Sequence, residues 1–147
     1  MESVARTTLL AELRGKYTSV TLPVLKEAVN SEFPNFEVIG LDRKFRTLPF
    51  EYIERIIALN RVDELKYVTD EFDCDSFARA FQVDMIRRWK FTTAGFVVDV
   101  PGVHAYNLIV DADLNVRIFE PQSDTYKKIG DKLSRIEAYT GHGYVLF

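Results

Sequence analysis

The sequence predicts an α+β domain, with N-terminal helices packed on a C-terminal antiparallel sheet of about four strands. Two observations carry this. Up to Trp89 the apolar residues recur at intervals of three and four. Beyond it the pattern turns to short extended runs rich in β-branched and aromatic residues, separated by turn residues.

The elements follow in order. Val4, Leu9, Leu10 and Leu13 fall at helical spacing. Thr21 is placed to cap a short helix carrying Leu22, Leu25 and Val29, after which residues 30–34 read as a loop. Lys44 to Leu48 reads as a strand, and Pro49 suits the first turn of a helix through Tyr52, Ile53, Ile56, Ile57 and Asn60. Residues 60–73 read mainly as connection. Asp73 then stands as the cap of the clearest helix, in which Phe77, Ala78, Phe81, Met85 and Trp89 form one stripe. Residues 95–100, 103–110 and 115–120 form a predicted antiparallel meander, and a last strand, 144–147, follows the bend at Gly141, His142 and Gly143.

Composition sets the bounds. A chain of 147 residues, 47% hydrophobic and 13% aromatic, can bury one core, so residues 1–147 are expected to form a single domain. The net charge of −3 arises from interspersed acids and bases, which gives neither nucleic acid nor an anionic membrane a complementary surface. The first residues lack a basic stretch, an apolar run and a cleavage site, and no segment reaches membrane-spanning length. A single cysteine allows no internal disulfide. Together these suggest a cytoplasmic protein, or one delivered without a signal peptide.

That cysteine is the chemically informative residue. At the first position of a helix capped by Asp73, the Cys74 thiol would meet unpaired backbone N–H groups and the positive end of the helix dipole, which favour a thiolate. Asp73 and Asp75 act in the opposite direction, so the thiol needs a cationic partner. Strand alternation puts His104, Tyr106, Leu108 and Val110 on one face, and Val116, Ile118 and Glu120 on one face of the next strand. A three-residue loop places His104 opposite Glu120; a looser turn, slid by one pair, puts Gln122 there instead. Either leaves one ring nitrogen for the thiol. The plainer alternative is a buried, inert cysteine, since Cys74 shares the stripe of Ala78, Phe81 and Met85. His142, between two glycines, is the other candidate base and reads more simply as a turn residue. One cysteine and two histidines do not suggest zinc, and the acids at 70–75 and 111–113 do not match a calcium-loop spacing.

The order of cysteine at a helix start, histidine on a strand and carboxylate at the end of the next strand resembles the papain-like cysteine peptidase superfamily. More narrowly, Phe72-Asp73-Cys74-Asp75-Ser76-Phe77-Ala78, His104-Ala105-Tyr106-Asn107 and Glu120-Pro121-Gln122 are similar to the cysteine-protease domain at the C-terminus of fungal chimeric lectins and in related microbial and phage proteins. The resemblance covers about residues 72–122. It implies a papain-like hydrolase in which Cys74 is the nucleophile, His104 the general base and then acid, and Glu120 the residue that orients His104. It also implies a peptide or peptidoglycan-like amide substrate, cleaved through a thioester. No cofactor is needed for that chemistry, although the lectin-type members use calcium, for which Asp73 and Asp75 are the candidate ligands. No glutamine stands shortly upstream of Cys74, so the oxyanion donor is sought in the Cys74 backbone N–H, Gln122, Tyr67 or Thr69. The alternative is a non-catalytic phage or structural interaction protein of the same fold.

Overall fold

A computed structural model describes residues 3–147. Among the described residues there are four α-helices: α1 (Val4–Leu13), α2 (Leu22–Glu32), α3 (Phe50–Leu59) and α4 (Cys74–Trp89). The strands are β1 (Thr18–Thr21), β2 (Phe36–Ile39), β3 (Lys44–Thr47), β4 (Ala94–Asp99), β5 (His104–Val110), β6 (Val116–Glu120), β7 (Thr125–Lys127) and β8 (Gly143–Leu146). The fold is thus α+β as predicted. The sheet is larger than predicted: six strands in the order β2-β8-β4-β5-β6-β7, with β1 and β3 forming a separate antiparallel pair. β2 lies parallel to β8, across more than a hundred residues of sequence, a pairing that no local signal announces.

Helices cover both faces of the sheet, not one. Leu9 and Leu13 of α1, Ile53, Ile56 and Ile57 of α3 and Phe81, Met85 and Trp89 of α4 pack with Ile109 and Phe119 on one face. Leu25 and Val29 of α2, with Phe45, pack with Tyr106, Leu108, Val110 and Ile118 on the other. β5 is consequently buried along its whole length, as a strand covered on both sides must be. α2 runs through Glu32, so the loop expected at residues 30–34 starts later. The Asn30 side chain, donating to the carbonyls of Phe33 and Phe36, holds the exit that its sequence pattern suggested.

Asp73 precedes α4 but makes no side-chain cap bond to it. Its Oδ2 instead accepts from the Asp70 N–H, folding the approach to the helix back on itself. At the far end Lys90 takes a left-handed φ of 54°, and the Phe91 N–H returns to the Met85 carbonyl. The helix is tied to the sheet by two side chains. Gln82 donates to the carbonyls of Ala94 and Leu146, and Asn107 on β5 donates to those of Ala78 and Gly95. The Asn107 bond to Ala78 lands one helical turn past Cys74 and so fixes the first turns of α4 against the middle of β5.

The β5–β6 register is the slid one. Val110 pairs with Val116 and Asn107 with Phe119, because the connection is not a three-residue loop. Asp111 Oδ1 accepts from the backbone N–H of Asp113 and of Asn115, and Leu114 takes a φ of 63°, which makes a wider turn. Continued to the strand ends, this register sets Glu120 diagonally across from His104, on the same face. No helix among the described residues is long and apolar enough to cross a membrane.

Candidate functional site

His104 opens β5 and Glu120 closes β6, at the end of the sheet where α4 begins. Both are buried, at 3% and 0% exposure. His104 Nε2 lies 2.6 Å from Glu120 Oε1, so a long side chain spans the diagonal that a direct cross-strand pair would have closed. With the carboxylate accepting, Nε2 carries the proton and Nδ1 faces the other way. On that side Cys74 Sγ, a His104 ring nitrogen and a Glu137 carboxylate oxygen all lie within 4.8 Å of one another. Cys74 is half-buried and not sealed in the core with Phe81 and Met85.

Three donors converge on the Glu120 carboxylate. Besides His104, the Tyr139 hydroxyl donates to Oε1 at 2.6 Å and the Gln122 N–H donates to Oε2 at 3.1 Å. Burial, and then the bond to Glu120, push the Tyr139 phenol well above its ordinary range, which keeps it a donor. The rings of His104 and Tyr139 meet edge-on at 5.2 Å. For His104 itself burial opposes a charged ring, but the adjoining Cys74 and then Glu120 outweigh it, and its pKa rises from 6.5 to about 9. The ring is therefore a cation at neutral pH.

Beneath the site lies a second buried acid. Asp99, 1% exposed, accepts from the Tyr106 hydroxyl at 2.6 Å and the Gly102 N–H at 3.0 Å. It also accepts from the Thr140 N–H and hydroxyl and from the Gly141 N–H. These bonds clamp the 139–141 segment, and with it Tyr139, onto the β4–β5 turn. The same turn receives the Ala138 N–H on the Gly102 carbonyl. A side chain at residue 102 would run into the Ala138 carbonyl, so the close approach requires glycine.

Among the other residues singled out by sequence, Tyr67 stacks on Phe77 and stands half-exposed near Cys74 and Glu137. Thr69 is exposed. The Gln122 amide nitrogen is buried without a partner. Asp73 and Asp75 hydrogen-bond to each other, which lowers Asp73 and raises Asp75. Among the described residues the one group of three candidate metal donors is Cys74, His104 and Glu137, so no third acid joins the Asp73–Asp75 pair. His142 is exposed, and its N–H donates to the Thr140 hydroxyl. Asp99, Tyr139 and Glu137 were not marked by sequence. Asp99 alone carried a local signal, as an acid directly before the Val100-Pro101-Gly102 turn.

No protein-family model matches the chain, and no curated protein does. Solved structures do. One, described as the PSL1a-E64 complex, matches with a TM-score of 0.61 at 22% identity, over 88% of this chain and 51% of that one. Another is Polyporus squamosus lectin bound to the human-type influenza-binding epitope Neu5Aca2-6Galb1-4GlcNAc, with a TM-score of 0.58 at 23% identity, over 88% of this chain and 49% of that one. The chain spans about half the length of the solved structures it matches, and at such identity the likeness is one of fold.

These matches correct the expectation drawn from the resemblance. The chain is not assigned to the papain-like cysteine peptidases: the solved structures sharing its fold are described as a lectin with its glycan epitope and as an E64 complex, and neither description is that of a peptidase. The thiol-protease and hydrolase activity, the thioester route and the peptide or peptidoglycan substrate fall with it. The physical reason is the shortness of the three motifs, which specify a local arrangement of side chains and not a reaction. The architecture differs as well, with six strands and helices on both faces.

Proposed function

We propose that the 147 residues act as one unit whose site is a nucleophilic thiol, in which Cys74 captures an electrophilic ligand covalently. His104 exchanges the proton and Glu120 holds the ring. The observation that supports this is the 2.6 Å bond from His104 Nε2 to a fully buried Glu120, which leaves Nδ1 turned toward the half-exposed sulfur. In the capture step a C–S bond forms, the electron pair of the broken carbon–oxygen bond stays on oxygen, and that oxygen takes the proton held by His104. The unpartnered Gln122 amide and the Cys74 N–H are the donors proposed to receive the oxygen, with Tyr67 and Thr69 at the rim. The step as written uses no metal. Asp73 and Asp75 are the carboxylates a calcium ion would use, and adding calcium to the assay below reads whether it alters the labelling.

The epoxide E64 and iodoacetamide are suitable probes, with intact-mass spectrometry as the readout. One adduct per chain is expected, lost in Cys74→Ala and slowed at least about tenfold in His104→Ala. Labelling that persists without Cys74, or proceeds equally well without His104, refutes the proposal.

A second reading, glycan binding, rests on the lectin structure bound to its sialylated epitope. Titration of the chain with that trisaccharide, followed by calorimetry, tests it. Saturable heat supports a sugar site, and its absence at millimolar ligand dismisses one.

A further inference from the structure

The sequence, with one cysteine and two histidines, does not suggest zinc, but the fold supplies a third donor that spacing could not reveal. Glu137 sits in the loop whose Lys132 and Ala138 bridge each other, and that loop is docked on the β4–β5 turn through the Ala138 N–H and the Gly102 carbonyl. Its Oε2 comes within 3.0 Å of His104 Nδ1. Both atoms are buried and neither makes a hydrogen bond, so with the ring protonated they meet as an ion pair alone. Once Nδ1 gives up its proton, a nitrogen lone pair faces a carboxylate inside the protein, which is costly unless a cation takes the proton's place.

We infer that Cys74 Sγ, His104 Nδ1 and Glu137 Oε2 form a binding site for a divalent ion of the zinc class. The three donors already lie within 4.8 Å of one another. Tetrahedral zinc with ordinary Zn–S, Zn–N and Zn–O lengths sets its ligands about 3.3–3.6 Å apart, so the sulfur needs to close by roughly 1 Å at most. A thiolate and a carboxylate balance the ion's two charges, and a neutral ring adds none. Glu120, accepting from Nε2, completes the carboxylate–histidine–metal arrangement that fixes ring orientation and strengthens the donor. Three protein ligands leave a fourth position for water. The sulfur and nitrogen donors select zinc or cobalt over calcium or magnesium. On binding, metal bonds form to sulfur, nitrogen and oxygen. The one proton held by the Cys74–His104 pair is released, and nothing is oxidised or reduced.

The site shares the thiol and ring of the proposed nucleophile but adds Glu137, and an ion there would mask the sulfur. The test uses zinc by chelator competition and cobalt(II) by absorption. Expected are one ion per chain, about one proton released at neutral pH, and a sulfur-to-cobalt charge-transfer band that is absent in Cys74→Ala. Glu137→Gln should weaken binding more than about tenfold, and Glu120→Gln, acting behind the ring, about ten- to a hundredfold. Should Glu137→Gln not fold, the wild-type chain decides: saturating zinc must slow iodoacetamide labelling at least about tenfold relative to labelling in chelator. Absence of binding, a cobalt spectrum without the sulfur band, an indifferent Glu137→Gln or unprotected labelling overturns the metal site. The rate in chelator reads the nucleophile separately, so one can fail without the other.

Discussion

Replacing Glu120 with glutamine keeps the side chain's shape and removes its charge. Three donors meet that carboxylate: His104 Nε2, the Tyr139 hydroxyl and the Gln122 N–H. A hydrogen bond to a charged acceptor contributes about 1.5–3 kcal/mol and a neutral one about 0.5–1.5, so the two short bonds lose about 1 kcal/mol each. An amide has one oxygen, and its NH2 must face either the Gln122 N–H or the pair of donors at Oε1; the unpaired donor costs about 1–3 kcal/mol more. Relief from burying a charge offsets part of this. A net loss of about 3 kcal/mol remains, which for a chain of this size lowers Tm by about 6–12 °C. Thermal melts by circular dichroism measure it, alongside iodoacetamide labelling of Cys74, which should slow because the ring is no longer held. A Tm within about 2 °C of wild type with an unchanged labelling rate would refute the idea that Glu120 organises the site.

Other outcomes follow from the same geometry. Asp99→Asn turns an amide NH2 toward donors from Tyr106, Gly102, Thr140 and Gly141; a loss of about 4 kcal/mol is expected from melts, with slower Cys74 labelling as Tyr139 loosens. Because the folded His104 pKa is raised from 6.5 to about 9, its contribution is fully present below pH 6.5 and is lost as pH rises through about 9. Between those values stability should fall by about 3 kcal/mol. Urea midpoints measured from pH 6 to 10 read this, and His104→Gln should flatten the slope.

Much of the architecture was legible in local pattern. The stripe from Phe77 to Trp89 and the alternation through β4, β5 and β6 are strong periodic signals, and they located Cys74, His104 and Glu120 on their elements. The register was legible only as two alternatives, because Asp111 decided it by folding its own turn. The rest depended on distance in sequence. β8 pairs with β4 and β2 only once the chain has returned across the sheet. That return brings Tyr139 to Glu120 and Glu137 to His104 from a loop with no periodicity. Asp73 holds the cap position its pattern indicated, but a carboxylate before a helix has two uses, and here its Oδ2 accepts from the Asp70 N–H of the preceding loop and not from the helix. Function was the least legible layer. Three correctly placed side chains do not fix a reaction, and matches of fold alone leave it to experiment.

The central claim is that Cys74, His104 and Glu120 are one electrically coupled unit. Nitrogen-detected NMR of the His104 ring across a pH titration tests it most directly. The account predicts a doubly protonated ring at neutral pH that titrates near 9 and moves to lower pH in Cys74→Ala. A ring that is neutral at pH 7, or that titrates identically without the sulfur, would contradict it.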